Sequence, residues 1–181
     1  MQGLNHLTGE CIEALRQGLA LVERLDDQLY TGISEEAPRG GVGGHLRHCL
    51  DFYQSFLSGL PHRRVNYNAR ERDPLVERDR AHASAKLQAV IIELEALPAE
   101  AADITLLVAP EGSVADTSEE SSWCRSTVGR ELQFLLSHTI HHYALVALLL
   151  RLRGFDASEE FGVNPSTLRH WRREGEAACA Q

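Results

Sequence analysis

Apolar residues recur at helical spacing over most of this chain, and the spacing predicts four long helices. Leu15, Leu19, Val22, Leu25 and Leu29 lie three or four residues apart with charges between them, which predicts one helix over about 4–30. A turn-rich connection, TGISEEAPRGGVGG, leads to a second helix over about 42–60, closed by Gly59 and Pro61. Pro74 opens a third helix over about 74–97, with Leu87, Val90, Ile91 and Leu94 as its inner stripe and Pro98 as its stop. The fourth runs over about 128–153 and ends at Gly154, a residue suited to the position after a helix. Pro165 starts a short C-terminal helix over about 165–177.

The stretch 98–127 breaks the pattern. ITLLV reads as a short strand, and SVADTSEESSWCRST reads as a loop with a partner strand near Trp123. The expectation is one domain over 1–181, all-α, a four-helix bundle with an irregular or β-hairpin excursion before the last long helix. An excursion of that length often serves as a lid or a dimer contact.

Composition narrows the class. Hydrophobic content of 43% and charged content of 24% are ordinary for a globular domain. A net charge of −8 argues against broad binding to nucleic acid or an anionic membrane. The polar N-terminus does not read as a signal peptide, and the apolar run Tyr143 to Leu150 is too short to span a bilayer. Cys11, Cys49, Cys124 and Cys179 form no C-x-x-C pair and read as reduced thiols, so a cytoplasmic location is expected. Cys49, though beside His48, reads as a core residue.

The chemistry sits in SHTIHHYALVALLLRLRG. His138 and His142 are four residues apart, so one helix face carries both imidazoles one turn apart. That face also carries Leu135, Leu145, Leu149 and Glu131, the last about 10 Å from His138 along the axis. His141 points away and is a weaker candidate. In GGHLRHCLDFYQSFL, His45 and His48 offer further imidazoles from the second helix. Three or four converging histidines suit a divalent metal such as zinc or nickel, and three leave a coordination position open. Thr139, Ile140 and His141 stand between the pair, so no carboxylate occupies the general-base position of a zincin.

HLRHCLDF and SHTIHHYAL together resemble the two motifs of the DinB/YfiT-like superfamily, one similar to LxHxxDxE and the other to HxxHHxGQ, about 90 residues apart. The resemblance implies a metal-binding four-helix bundle with His48, His138 and His142 as ligands. His45 is then a partner behind a ligand, or an alternative ligand. Tyr143, Ala144 and Leu145 depart from the usual Arg-Gly-Gln. The resemblance also implies a small-molecule substrate and thiol-dependent S-transfer, with a low-molecular-weight thiol such as mycothiol, bacillithiol or glutathione. A metal-dependent hydrolase and a non-catalytic metal-binding protein are the alternatives.

Two other segments carry candidate roles. VNYNARERDP reads most plainly as a solvated loop with Arg–Asp pairs; the alternative is that Tyr67, Arg70 and Arg72 line a pocket mouth and hold a substrate carboxylate. With His45 and Glu131, Tyr67 and Arg70 complete the catalytic candidates. GVNPSTLRHWRREG is similar to the second helix of a MerR-type helix-turn-helix, a remote DNA-binding alternative; docking of Leu168 and Trp171 on the bundle is the plainer expectation. A homodimer through spare helix faces or the 98–127 excursion is also expected.

Overall fold

The computed structural model describes residues 2–32, 41–110 and 123–179. The expected connection over 33–40 and the loop over 111–122 lie outside the described residues, as does the side chain of Cys179. The helices are α1 (Gln2–Arg24), α2 (Asp27–Thr31), α3 (Val42–Gly59), α4 (Pro74–Arg78), α5 (Arg80–Glu95), α6 (Val128–Leu152) and α7 (Pro165–Cys179). The strands are β1 (Arg64–Val65), β2 (Thr105–Val108) and β3 (Cys124–Thr127). The protein is therefore mostly helical with one small sheet. α1 packs on α5 and α6, and α3 packs on α5 and α6.

The core follows the predicted stripes. Leu15 and Val22 of α1 with Leu25 just after it, Leu46, Leu50 and Phe56 of α3, Leu87, Val90 and Leu94 of α5, and Leu132, Leu135, Val146 and Leu150 of α6 are all buried together. At roughly 1.5–3 kcal/mol for each large apolar side chain, this burial is the main force holding the helices together.

Two of the predicted helices are each broken once. The first stops at Arg24, and Asp26 restarts it as α2, its carboxylate accepting from Leu29 N at 2.7 Å. The third breaks at Asp79, which caps α5 by accepting from His82 N at 3.0 Å. Both breaks meet at Arg80. Its guanidinium donates to the carbonyls of Leu25 and Val22 at the end of α1 and pairs with Asp27. Carbonyls orphaned by the first break are thus satisfied by a side chain from the second.

The hairpin expected near Trp123 is present. β2 and β3 pair antiparallel with Thr105 opposite Thr127 and Val108 opposite Cys124. β1, which the sequence pattern does not announce, adds to β2 in parallel. Thr127 ends β3 and caps α6 in one residue, its side chain accepting from Arg130 N at 3.2 Å. The hairpin is thereby joined directly to the helix that carries His138 and His142. At the other end, Gly154 takes φ +77 and closes α6 as expected. By length and composition α6 is also apolar enough to cross a membrane; here it is packed against α1 and α3.

In α7, Asn164 accepts from Ser166 N at 2.9 Å, and Leu168 is buried. Trp171 does not dock as expected: it is 48% exposed. It sits three residues past Leu168, at the edge of the contact face. Of the local arginines, Arg169 pairs with Glu10 and Arg172 with Glu160.

Candidate metal centre

α3 and α6 cross where each carries its histidines. His48, His138 and His142 are half-buried, and one ring nitrogen from each lies within 4.8 Å of the others. Their ring centroids are 4.9 Å apart for His48–His138 and 4.6 Å for both remaining pairs. A tetrahedral zinc with Zn–N of ~2.0–2.1 Å needs nitrogens about 3.3 Å apart, so the imidazoles would have to close inward to hold one. The three predicted ligands are brought together. His45 lies behind them, its Nδ1 2.9 Å from Nδ1 of His142. His141 is exposed and outside the trio, as its place on the helical wheel predicts.

Burial keeps the imidazoles in the form a metal needs. It pushes His142 down to about 3, with His138 and His48 adding to the effect. His48 is pushed down to about 4, by burial first and then by His138, Arg70 and Arg47. His45 is lowered too, by burial and then by His141. His48 and His142 are therefore neutral at neutral pH, with lone pairs available for coordination.

The face around the pair is less buried than expected beyond His142. Leu145 and Leu149 are half-buried, because that side of α6 turns outward; the fully buried side runs through Leu132, Leu135, Leu136, Tyr143 and Val146. At the motif departure, Tyr143 is a packing residue. It is fully buried and stacks on Phe161, centroids 4.8 Å apart. Both adjoining cysteines behave as core residues: burial pushes the Cys49 and Cys11 thiols up to about 12.

A cavity of about 710 Å³ opens beside the centre, between α3, α6, the hairpin and the turn at 67–70. His138 is on its wall, and so are Tyr67, Arg70 and Glu131. Glu131 is 1% exposed. It accepts from Tyr67 Oη at 2.8 Å, Ser126 Oγ at 2.5 Å and Arg130 Nη1 at 3.1 Å. Burial and the Glu131 charge drive the Tyr67 phenol far above its ordinary range, so it stays a donor. Arg70 lies 4.4 Å over the Phe52 ring and donates to Tyr67 O at 2.5 Å. Arg72, the third loop candidate, is exposed and leans back on Arg70 O at 3.3 Å, away from the cavity.

The sequence reading missed Phe52, Phe134, Ser126, Arg125 and Arg130, all of which line this cavity. Only their position against the hairpin reveals them. It also missed buried Asp51, one turn after His48. Burial raises its pKa, and Arg47 opposes that by donating to it at 2.6 Å. Arg47 also pairs with Glu77, tying α3 to α4.

No family model matches the chain, and no solved structure matches it. Over 110 residues, 61% of its length, it is 28% identical to FK506-binding protein 5 of Rhizopus delemar. The matched stretch spans 28% of that protein.

Proposed function

We propose that this chain is a metal-dependent enzyme of the DinB/YfiT-like kind, a thiol-dependent S-transferase acting on a small molecule. On this reading α1, α3, α5 and α6 form the four-helix bundle. His48, His138 and His142 hold a divalent metal, zinc or nickel. The observation that carries it is the convergence of three imidazoles beside a cavity of small-molecule size. Three nitrogen donors leave a position open for a ligand, the arrangement of catalytic rather than structural zinc sites.

When bound, the metal supplies a Lewis acid that lowers the pKa of a thiol and holds its sulfur as nucleophile. The remaining work belongs to the chain. The cavity wall orients the second substrate next to His138. Arg130, anchored on Glu131 through Nη1, presents its remaining N–H groups to it, while Tyr67 Oη, whose proton is donated to Glu131, offers an acceptor. A carbon–sulfur bond forms as the leaving group departs with its bonding pair, and the thiol proton passes to solvent. His45 holds His142 in one tautomer through the contact between their Nδ1 atoms. Exposed Leu148 and Leu152 on α6 support a second copy as partner.

A hydrolase is the competing reading, favoured by one observation: Glu131 shares the cavity with His138. Seven residues of helix separate them by about 10 Å, too far for a base acting on water beside the histidines. The test is to load the protein with zinc or nickel and follow consumption of 1-chloro-2,4-dinitrobenzene with glutathione and with cysteine. Thiol-dependent turnover that disappears in His48→Ala supports the transferase. Hydrolysis of ester substrates without thiol, in its place, supports the hydrolase. Metal binding without turnover in either assay leaves a metal-binding protein.

A further inference from the structure

The cavity beside the histidines has a charge and a shape that the metal reading does not require. Its lining carries three arginines, Arg70, Arg125 and Arg130, against one carboxylate, Glu131, a formal balance of 3 − 1 = +2. The whole chain carries −8. A positive hollow in an acidic protein selects an anion locally while the rest of the surface repels one.

One wall is aromatic. Phe52 stacks on Tyr67 with centroids 5.0 Å apart and planes 27° apart, and Phe134 lies 5.8 Å from Phe52 and 5.6 Å from Tyr67. These separations suit offset and edge packing, and a planar guest extends such a cluster. The guanidinium of Arg130 lies 5.4 Å from the Phe134 centroid, with Nη1 on Glu131. A guanidinium that packs on a ring keeps its N–H edges for in-plane acceptors, the geometry that grips a carboxylate with two parallel bonds. A phosphate finds less here. At the start of α6 the amides of Val128 and Arg130 are already committed to Ile104 O and Thr127 Oγ1, which removes much of the usual helix-terminus phosphate site.

We infer that this cavity binds a planar carboxylate, aromatic or conjugated, with its ring plane on Phe134 and Tyr67 and its carboxylate on Arg130. Its role as the second substrate of the S-transferase rests on the function proposed above; its binding does not. The guest lies along the wall between Glu131 and His138, which brings its far end to the histidines.

The test uses the full chain, stripped of metal with a chelator, and calorimetric titration with 2-naphthoate, decanoate, 2-naphthalenemethanol and adenosine monophosphate. The expected result is saturable naphthoate binding, at least tenfold tighter than each of the other three. Arg130→Gln alters a side chain that is 63% exposed but also removes one of three donors on buried Glu131, so it is expected to melt a few degrees below the parent, to remain folded at the titration temperature and to bind naphthoate at least tenfold more weakly. No naphthoate binding, equal binding of the neutral alcohol or the nucleotide, or an unchanged affinity in a folded Arg130→Gln each overturns the inference. Metal content is measured on a separate sample. A chain that binds naphthoate yet takes up no metal keeps this inference and loses the proposed function; the reverse result keeps the metal centre and loses the cavity.

Discussion

His45 and His142 stand 97 residues apart in the chain, yet their Nδ1 atoms are 2.9 Å apart across the α3–α6 contact. One of the two nitrogens must carry the hydrogen. With Nδ1–H on His142, its Nε2 keeps a lone pair for coordination. On the proposed metal centre, His45 would act through His142. His45→Ala is expected to weaken zinc affinity by ~10–100-fold while keeping one metal per chain. Competition against a chromophoric chelator measures it. Affinity equal to the parent's contradicts the role given to His45.

The depressed histidines make stability depend on pH in a definite direction. His48 and His142 stay neutral in the folded, metal-free chain down to about 4 and about 3, but take up protons near 6.5 when unfolded. Between those values the unfolded chain binds more protons, so stability is full above pH 6.5 and is lost as pH falls toward 3–4. The urea midpoint of metal-free protein should fall between pH 7 and pH 4.5. His142→Phe should flatten the slope by removing one of the titrating groups. A midpoint that rises on acidification has the wrong sign for this account.

Glu131 is a buried carboxylate held by Tyr67, Ser126 and Arg130. Tyr67→Phe removes one donor and leaves that charge less satisfied, so a loss of ~1.5–3 kcal/mol in unfolding free energy is expected. Denaturant titration of the parent and the variant reads it. A loss below ~0.5 kcal/mol would mean that the bond contributes little.

Two glycines should respond in opposite ways. A Cβ at Gly18 would meet Tyr143 Oη at 2.0 Å, whereas one at Gly44 meets nothing within 4 Å. Gly18→Ala must push α1 from α6 and is expected to cost ~1–3 kcal/mol. Gly44→Ala should add ~0.5–1 kcal/mol through helix propensity. Thermal melts of both variants check the contrast.

Tyr143 Oη is buried with no hydrogen-bond partner among the described residues. Tyr143→Phe removes that unsatisfied hydroxyl and is expected to raise stability, by ~1 kcal/mol or more. A destabilised variant would point to a partner for the hydroxyl outside the described residues.

Where the sequence was legible, local physics sufficed. The spacing of His138 and His142 placed both on one face, and Pro74, Pro98, Gly154 and Pro165 marked helix ends that hold to within a few residues. ITLLV and the stretch after Trp123 were legible as paired strands. The breaks at Asp26 and Asp79 were not: the carbonyls freed by the first are satisfied by Arg80, which reaches across from α5, a contact that no periodicity encodes. Nor was the cavity legible. Arg130, Ser126 and Phe52 come together only when the hairpin folds against α3 and α6, and no periodicity encodes that distance. Trp171 looked like a docking residue by type alone, while its exposure depends on where α7 lies.

The central claim is that His48, His138 and His142 hold one metal. Elemental analysis of untagged protein, beside His48→Ala, His138→Ala and His142→Ala, tests it most directly. The account predicts near-stoichiometric zinc or nickel in the parent and its loss in all three folded variants. A parent that folds without metal and takes up neither zinc nor nickel when offered would contradict it.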